Sequence, residues 1–293
     1  MIILAGWLFA RFLSVPLIYA YHTHVPEYLP RYKLGFLAPA TWWAMRLFHC
    51  AAELTLVTST VMRDALQQNK MTGSDEDLDV WKKGICCETF HPRFASAEAR
   101  RRLLAGRSEG PLLLSVGRLG WEKNLHSLKA IVDAIPGCRL AFVGDGPARS
   151  SLEAHFAGAP VAFLGLLQGE TLAAAYASAD VFVMPSESET LGFVVLEAMA
   201  SGTPVVAVRA GGIPDIITRP GETGILYEPG DVQAATAGVK RLLEDVAFRD
   251  RVARAAREEV SLWDWRAATQ YLLREQYPAA MAANARRRAQ AGG

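Results

Sequence analysis

From Pro111 onward the chain alternates between short apolar runs and longer stretches whose apolar residues recur every three or four positions. The runs PLLLSV, CRLAFVG, VAFLG, DVFVMP, PVVAV and GILYE are each bounded by Gly, Pro or Asp, which predicts strands. The stretches between them predict helices starting near Asn124, Ala148, Gly169, Gly192, Ile213 and Asp231. Strands that are apolar throughout, rather than at every second residue, are buried on both faces. Strand and helix in strict alternation therefore predict a parallel, doubly wound sheet. Ligands of such sheets lie beyond the carboxyl ends of the strands, so the residues just after each apolar run are the ones to search.

Before residue 106 the same alternation is sparser. Strands are expected near Leu17 to Tyr21, Leu54 to Thr58 and Asp79 to Trp81, with helices over Ile3 to Phe12 and around Pro39 to Ala52. The opening twenty residues are apolar enough to suggest a membrane span or signal, but Arg11 interrupts them and no basic segment precedes them, so a buried helix followed by a strand is the better reading. A domain that opens on a helix is expected to have lost what precedes it in a full Rossmann-like unit, and any transit peptide with it. The polar GRSEG at Gly106 to Gly110 reads as a linker. The expected organisation is a partial first domain over 1–106, a complete domain over 111–262, a helix over 263–278 that packs back on the first domain, and a disordered tail over 279–293.

Composition narrows the function. With 31 basic and 30 acidic residues the net charge is +1, so no global field recruits nucleic acid and an acidic ligand must be held by local groups. The four cysteines have neither metal-site spacing nor the density of a disulfide scaffold, which points to a reducing compartment.

Three constellations follow predicted strands of the second domain. Val116 to Leu125, V-G-R-L-G-W-E-K-N-L, offers Gly117 for a sharp turn, Arg118 as a planar fork and Lys123 as a point charge, a set suited to a diphosphate; a surface Arg and Lys paired with Glu122 or others is the plainer alternative. Val143 to Pro147, V-G-D-G-P, places Gly144 in a tight turn. Arg149 stands where a dinucleotide fingerprint needs its third glycine, which argues against a nicotinamide enzyme. Pro185 to Ala207 holds Glu189 in a loop and Glu197 one and a half turns into the next helix, with Thr190, Leu191 and Gly192 at the helix start, where backbone N–H groups suit an anion. On the residues alone, the two glutamates could equally be a solvated loop carboxylate and a capping group. In the first domain, His22 and His24 follow a strand, with hydrogen bonds to backbone as the plainer account.

S-E-S-E-T-L-G-F-V-V-L-E-A-M resembles the Glu-x7-Glu motif of the family 4 retaining glycosyltransferases, whose fold is GT-B, two Rossmann-like doubly wound domains; the N-terminal one is expected to be truncated here. The resemblance implies that Glu189 lies beside the donor sugar and Glu197 binds the ribose of UDP. It implies that Arg118 and Lys123 neutralise the diphosphate, that Gly144 lies near the base, and that His22, or secondarily His24, touches the sugar.

Together with Y-H-T-H-V-P-E-Y-L-P-R-Y, Y-A-S-A-D and A-G-G-I-P-D-I-I, the motifs resemble the sulfoquinovosyltransferases of plants, algae and cyanobacteria. What this implies is a UDP-sulfoquinovose donor, a diacylglycerol acceptor at a membrane surface of the chloroplast envelope or the cyanobacterial cell, and neither metal nor cofactor. Cys86, in K-G-I-C-C-E-T-F, departs from the K-G-V-D pattern of these enzymes. Three other readings stay open: a transferase of the same fold using UDP-glucose, UDP-galactose or a GDP-sugar, a non-transferring enzyme such as a UDP-sugar epimerase, and a non-catalytic fragment or UDP-sugar-binding module.

Overall fold

The fold was analysed in a computed structural model. It describes all residues but 1, 23–25, 27, 28, 30–32, 82, 83, 108, 292 and 293, and the side chains of residues 2–4 and 291 also lie outside the description. The chain divides into two units, Met1–Lys83 with Trp265–Gly293, and Gly84–Asp264.

In the first unit, α1 (Ile2–Leu13) leads into β1 (Ile18–Tyr21), and α2 (Ala38–His49) into β2 (Leu54–Val57). Helix α3 (Thr60–Gln68), capped by the Ser59 side chain, then precedes β3 (Leu78–Val80). The strands form a parallel sheet in the order β1-β2-β3. Because side chains alternate across a strand, Val57 packs with Tyr21, Met62, Leu66 and Met71 on one face while Leu54 and Leu56 pack with Ala280 on the other.

The second unit opens with α4 (Ala97–Leu104) and continues as β4 (Leu112–Val116), α5 (Leu128–Ala134), β5 (Arg139–Val143), α6 (Arg149–His155) and β6 (Val161–Phe163). It proceeds through α7 (Gly169–Ala177), β7 (Val181–Met184), α8 (Phe193–Ala200), β8 (Val205–Val208), β9 (Ile225–Tyr227), α9 (Val232–Glu244) and α10 (Val246–Ser261). All six expected strands are present. They form a parallel sheet in the order β6-β5-β4-β7-β8-β9. The chain starts in the middle, winds one way through β5 and β6, and returns to build the other half from β7. The switch point thus lies between β4 and β7, which pair at Leu113–Val181 and Leu114–Phe182.

The apolar runs are explained by two cores, one on each face. Leu112, Leu114, Phe182, Met184, Val205 and Ala207 pack under α7, α8 and α10. Their neighbours Leu113, Val181, Val183, Val206 and Val208 pack under α5, α6 and α9. Each fully buried side chain of this kind stabilises the unit by roughly 2 kcal/mol relative to exposure.

Five expectations are corrected. The boundary falls at Lys83/Gly84 rather than at residue 106, because Ile85, Leu103 and Leu104 are buried in the core of the second unit. The region expected as one helix over 263–278 is α11 (Trp265–Tyr271) followed by a π-helical turn at Leu272–Gln276. The tail expected to be disordered is helical, α12 (Tyr277–Ala291): Ala280 is small enough to sit against Leu54 and Leu56, and Arg287 donates to the carbonyls of Ala51 and Ala52 and pairs with Glu53 at 3.0 Å. At Ile213 only a 3-10 turn forms, Ile213–Asp215, with Pro214 inside it, and Asn124 starts no helix directly, since 3-10 turns occupy the chain before α5.

Candidate active site at the switch point

The loops after β4 and β5 are fitted backbone to backbone. Gly117 donates to the Val143 carbonyl at 2.9 Å, Leu119 to that of Asp145 at 3.0 Å, and Ala148 to that of Leu119 at 2.9 Å. A Cβ on Gly144, whose φ is +133°, would stand 1.9 Å from the Gly117 oxygen, so only glycine permits this approach. Gly117 and Gly144 are therefore the groups that let two strand-end loops share one surface.

On that surface the loop after β4 carries its two cations differently. Arg118 is 60% exposed and reaches Glu122 at 3.8 Å, a weak surface pair. Lys123 is largely buried, and its ammonium is bonded to Glu189 Oε1 on the loop after β7. The plainer alternative, a surface Arg and Lys paired with Glu122 or others, describes Arg118; Lys123 is paired too, but away from the surface and across two loops. The Ser188 hydroxyl adds a second tie between the loops, to the Glu122 carbonyl at 3.4 Å.

The β7 loop is braced from its other side. Gly212 donates to the Glu189 carbonyl at 2.8 Å, and a Cβ on Gly211 would come within 2.1 Å of that oxygen. The turn Thr190-Leu191-Gly192 ends in α8, with Gly192 at the N-cap position and no side chain capping it. A helix start without a side-chain cap presents backbone N–H groups to an anion.

Glu197, in α8, is half-buried and accepts a 2.7 Å hydrogen bond from the Tyr176 hydroxyl. Burial raises its pKa above the ordinary carboxylate value, and the Tyr176 hydrogen bond works against that rise. Burial, and next the Glu197 charge, push the Tyr176 phenol well up. Tyr176 was legible in the sequence only as part of Y-A-S-A-D; nothing in the spacing pairs it with a glutamate twenty-one residues on.

Other expected groups fall elsewhere. Arg149 is held by Asp145 at 3.6 Å and Glu153 at 2.9 Å. His22 is exposed just beyond β1 in the first unit, and His24 lies outside the described residues. Cys86 is exposed, and hydrogen bonds from Thr89 lower its thiol pKa. Among the described residues no three His, Cys, Asp or Glu side chains come together as a metal site requires.

A six-stranded doubly wound sheet with a charged, glycine-braced switch point, beside a second parallel α/β unit, is the plan of the GT-B glycosyltransferases. Comparison with known proteins sharpens this class to a family. Residues 97–259 match the model of the Glycosyl transferases group 1, and residues 1–89 that of Glycosyltransferase Family 4. The chain belongs to these glycosyltransferases. Sulfoquinovosyl transferase SQD2 of Arabidopsis thaliana is 52% identical over 274 residues, covering 93% of this chain and 54% of that protein. A GDP-mannose-dependent alpha-mannosyltransferase of Mycobacterium tuberculosis is 37% identical over 261 residues, 87% of this chain and 65% of that protein. The chain thus spans between about half and two thirds of these relatives' length. Among solved structures, sucrose-phosphate synthase from Thermosynechococcus elongatus matches with a TM-score of 0.75 at 27% identity, over 94% of this chain and 72% of that one. Anabaena Alr3699/HepE in complex with UDP matches in fold, with a TM-score of 0.78 at 22% identity over 92% and 74%.

Proposed function

We propose that the protein moves a sulfoquinovosyl group from UDP-sulfoquinovose to a hydroxyl of diacylglycerol with retention of configuration. The observation that carries the reading is the meeting of Lys123 and Glu189 at the switch point, in a chain 52% identical to a sulfoquinovosyl transferase. In the reaction, the bond from the anomeric carbon to the UDP oxygen breaks and a bond to the acceptor oxygen forms on the same face. The acceptor's proton passes to the departing diphosphate. Arg118, Lys123 and the start of α8 at Thr190, Leu191 and Gly192 stabilise the charge that develops on the diphosphate, an electrostatic strategy. Gly117 and Gly144 let the backbone close on the nucleotide, Glu197 takes the ribose, and Glu189 contacts the transferring hexose. No metal or cofactor takes part in this scheme.

The lipid acceptor has support in the first unit. A cavity of about 530 Å³ there is lined by Trp7, Leu47, Phe48 and Ala51, with Arg11 and Arg287 at its wall. Phe12 and Trp43, 87% and 70% exposed, suit contact with a bilayer surface. No described helix is long and apolar enough to cross a membrane. We place the enzyme peripherally at the chloroplast envelope, or at the membrane of a cyanobacterial cell.

The test is incubation with UDP-sulfoquinovose and diacylglycerol, with the sulfolipid detected by mass spectrometry. UDP-glucose, UDP-galactose and GDP-mannose run in parallel; product from one of these, and none from UDP-sulfoquinovose, overturns the donor assignment. UDP binding without product from any donor favours a binding module. Liposome flotation of an Arg31 and Lys33 double variant tests the membrane contact, Arg31 lying outside the described residues.

A further inference from the structure

We infer that Tyr176 is a positioning residue for the nucleotide: its hydroxyl holds Oε2 of Glu197 so that Oε1 is presented to the ribose diol of a nucleoside diphosphate. The inference rests on the donor-binding reading above and extends it to a residue that does not itself touch the ligand.

Tyr176 sits at the end of α7 with no exposed surface. Its ring meets Phe90 edge to face at 5.9 Å and Phe182 at 5.6 Å, and its carbonyl accepts the Thr203 hydroxyl at 2.6 Å. The phenol therefore cannot swing, and its oxygen is a fixed point. The surrounding core is aliphatic and aromatic. A phenylalanine would fill that space without the cost of burying a hydroxyl, which is repaid only by a partner. The partner is Glu197 Oε2, at 2.7 Å.

The other carboxylate oxygen completes the argument. Glu197 Oε1 takes no hydrogen bond from the described residues, yet it is absent from the buried side-chain atoms that lack a partner. It is therefore the oxygen that reaches solvent. A carboxylate pinned at one oxygen and open at the other has lost the rotation about its last bond, so a diol that docks on it need not immobilise it. The same hydrogen bond opposes the rise that burial causes, and so favours the ionised form that accepts from hydroxyls.

The experiment titrates the full chain with UDP by calorimetry, between about pH 5.5 and pH 8.5, for the wild type, Tyr176→Phe and Glu197→Gln. Loss of the phenol raises the carboxyl pKa further. Tyr176→Phe is then expected to bind UDP roughly tenfold more weakly at the acid end, its acid limb moved to higher pH, with affinity recovering toward the alkaline end. Glu197→Gln is expected to bind weakly and to keep only the limb that the terminal phosphate of UDP, with a second pKa of about 6, gives every variant. A merely structural hydroxyl would lower the melting temperature and leave the pH dependence in place. Should Tyr176→Phe fail to fold, 3-fluorotyrosine at position 176 keeps the shape while strengthening the donor, and should move the acid limb downward.

A Tyr176→Phe curve superimposable on the wild type while Glu197→Gln loses affinity overturns the positioning role alone, as does an unmoved limb with fluorotyrosine. Wild-type affinity in Glu197→Gln removes Glu197 from the nucleotide site, and Tyr176 with it. A wild type that binds no UDP at any pH overturns the donor reading itself.

Discussion

Lys123 and Glu189 close the gap between two loops separated by 66 residues of sequence: the ammonium that follows β4 is bonded to the carboxylate that follows β7. Both side chains are less than one-fifth exposed, so neither charge has bulk water to fall back on. Breaking such a pair costs more than its formation contributes, because the surviving charge is left uncompensated. Lys123→Ala is expected to depress transfer about a hundredfold if the ammonium contributes roughly 3 kcal/mol to the transition state. Initial rates with UDP-sulfoquinovose check this, and an unchanged rate removes the role.

Releasing Lys123 has a second consequence. A carboxylate and a diphosphate compete for one ammonium, so Glu189→Gln should bind UDP several-fold more tightly while transferring more slowly. Weaker UDP binding in that variant would show that Glu189 aids the nucleotide rather than competing with it.

Gly144 tests the fitted loops. Alanine there meets the Gly117 carbonyl and must also hold a φ of +133°. The expected loss is about 3 kcal/mol, read as a fall in Tm of roughly 5 °C for a chain of this size. Gly158, at φ +79° with open space around it, is the matched control, and its alanine variant should lose only about 1 kcal/mol. Equal losses at the two positions would show that backbone strain, and not the close approach, is what glycine relieves.

His49 predicts acid sensitivity in the first unit. Burial among Tyr19, Tyr21 and Thr55 lowers its pKa to about 4 from the ordinary histidine value of 6.5. The unfolded chain then binds a proton that the folded one refuses, so stability is full above about pH 6.5 and is lost as the pH falls toward 4. The loss amounts to about 3 kcal/mol. Urea titrations across that range should show it in the wild type and not in His49→Asn, where the amide can keep the Thr55 contact and carries no titrating group.

Arg100 ties α4 to the sheet of the second unit. Its guanidinium reaches Asp180 at 3.0 Å and the Gly110 carbonyl at 2.9 Å, and Asp180 also accepts from the Leu112 N–H. Asp180→Ala takes one carboxylate from Arg100, which keeps Glu109 and the carbonyls of Ser178 and Gly110, and leaves the Leu112 N–H without its acceptor; it should destabilise the protein by about 2 kcal/mol. Chemical denaturation measures it; a loss under about 0.5 kcal/mol would show the segment is held by Ile85, Leu103 and Leu104 alone.

Much of this protein was legible in local pattern. Strands with both faces buried are continuous apolar runs, and glycines and acids at their ends mark turns, so the parallel sheet and the loops carrying Arg118, Lys123, Glu189 and Glu197 followed from residues a few positions apart. The structure alone decided what those loops touch. Lys123 meeting Glu189, Tyr176 reaching Glu197, and Arg287 holding the carbonyls before β2 are pairings across topology, created when crossovers bring distant segments side by side. The tail shows the same division. Alanines and arginines read alike in a frayed end and in a docked helix, and what separates the two is the presence of Leu54, Leu56 and Glu53 opposite them, which is a property of the folded chain and not of the segment.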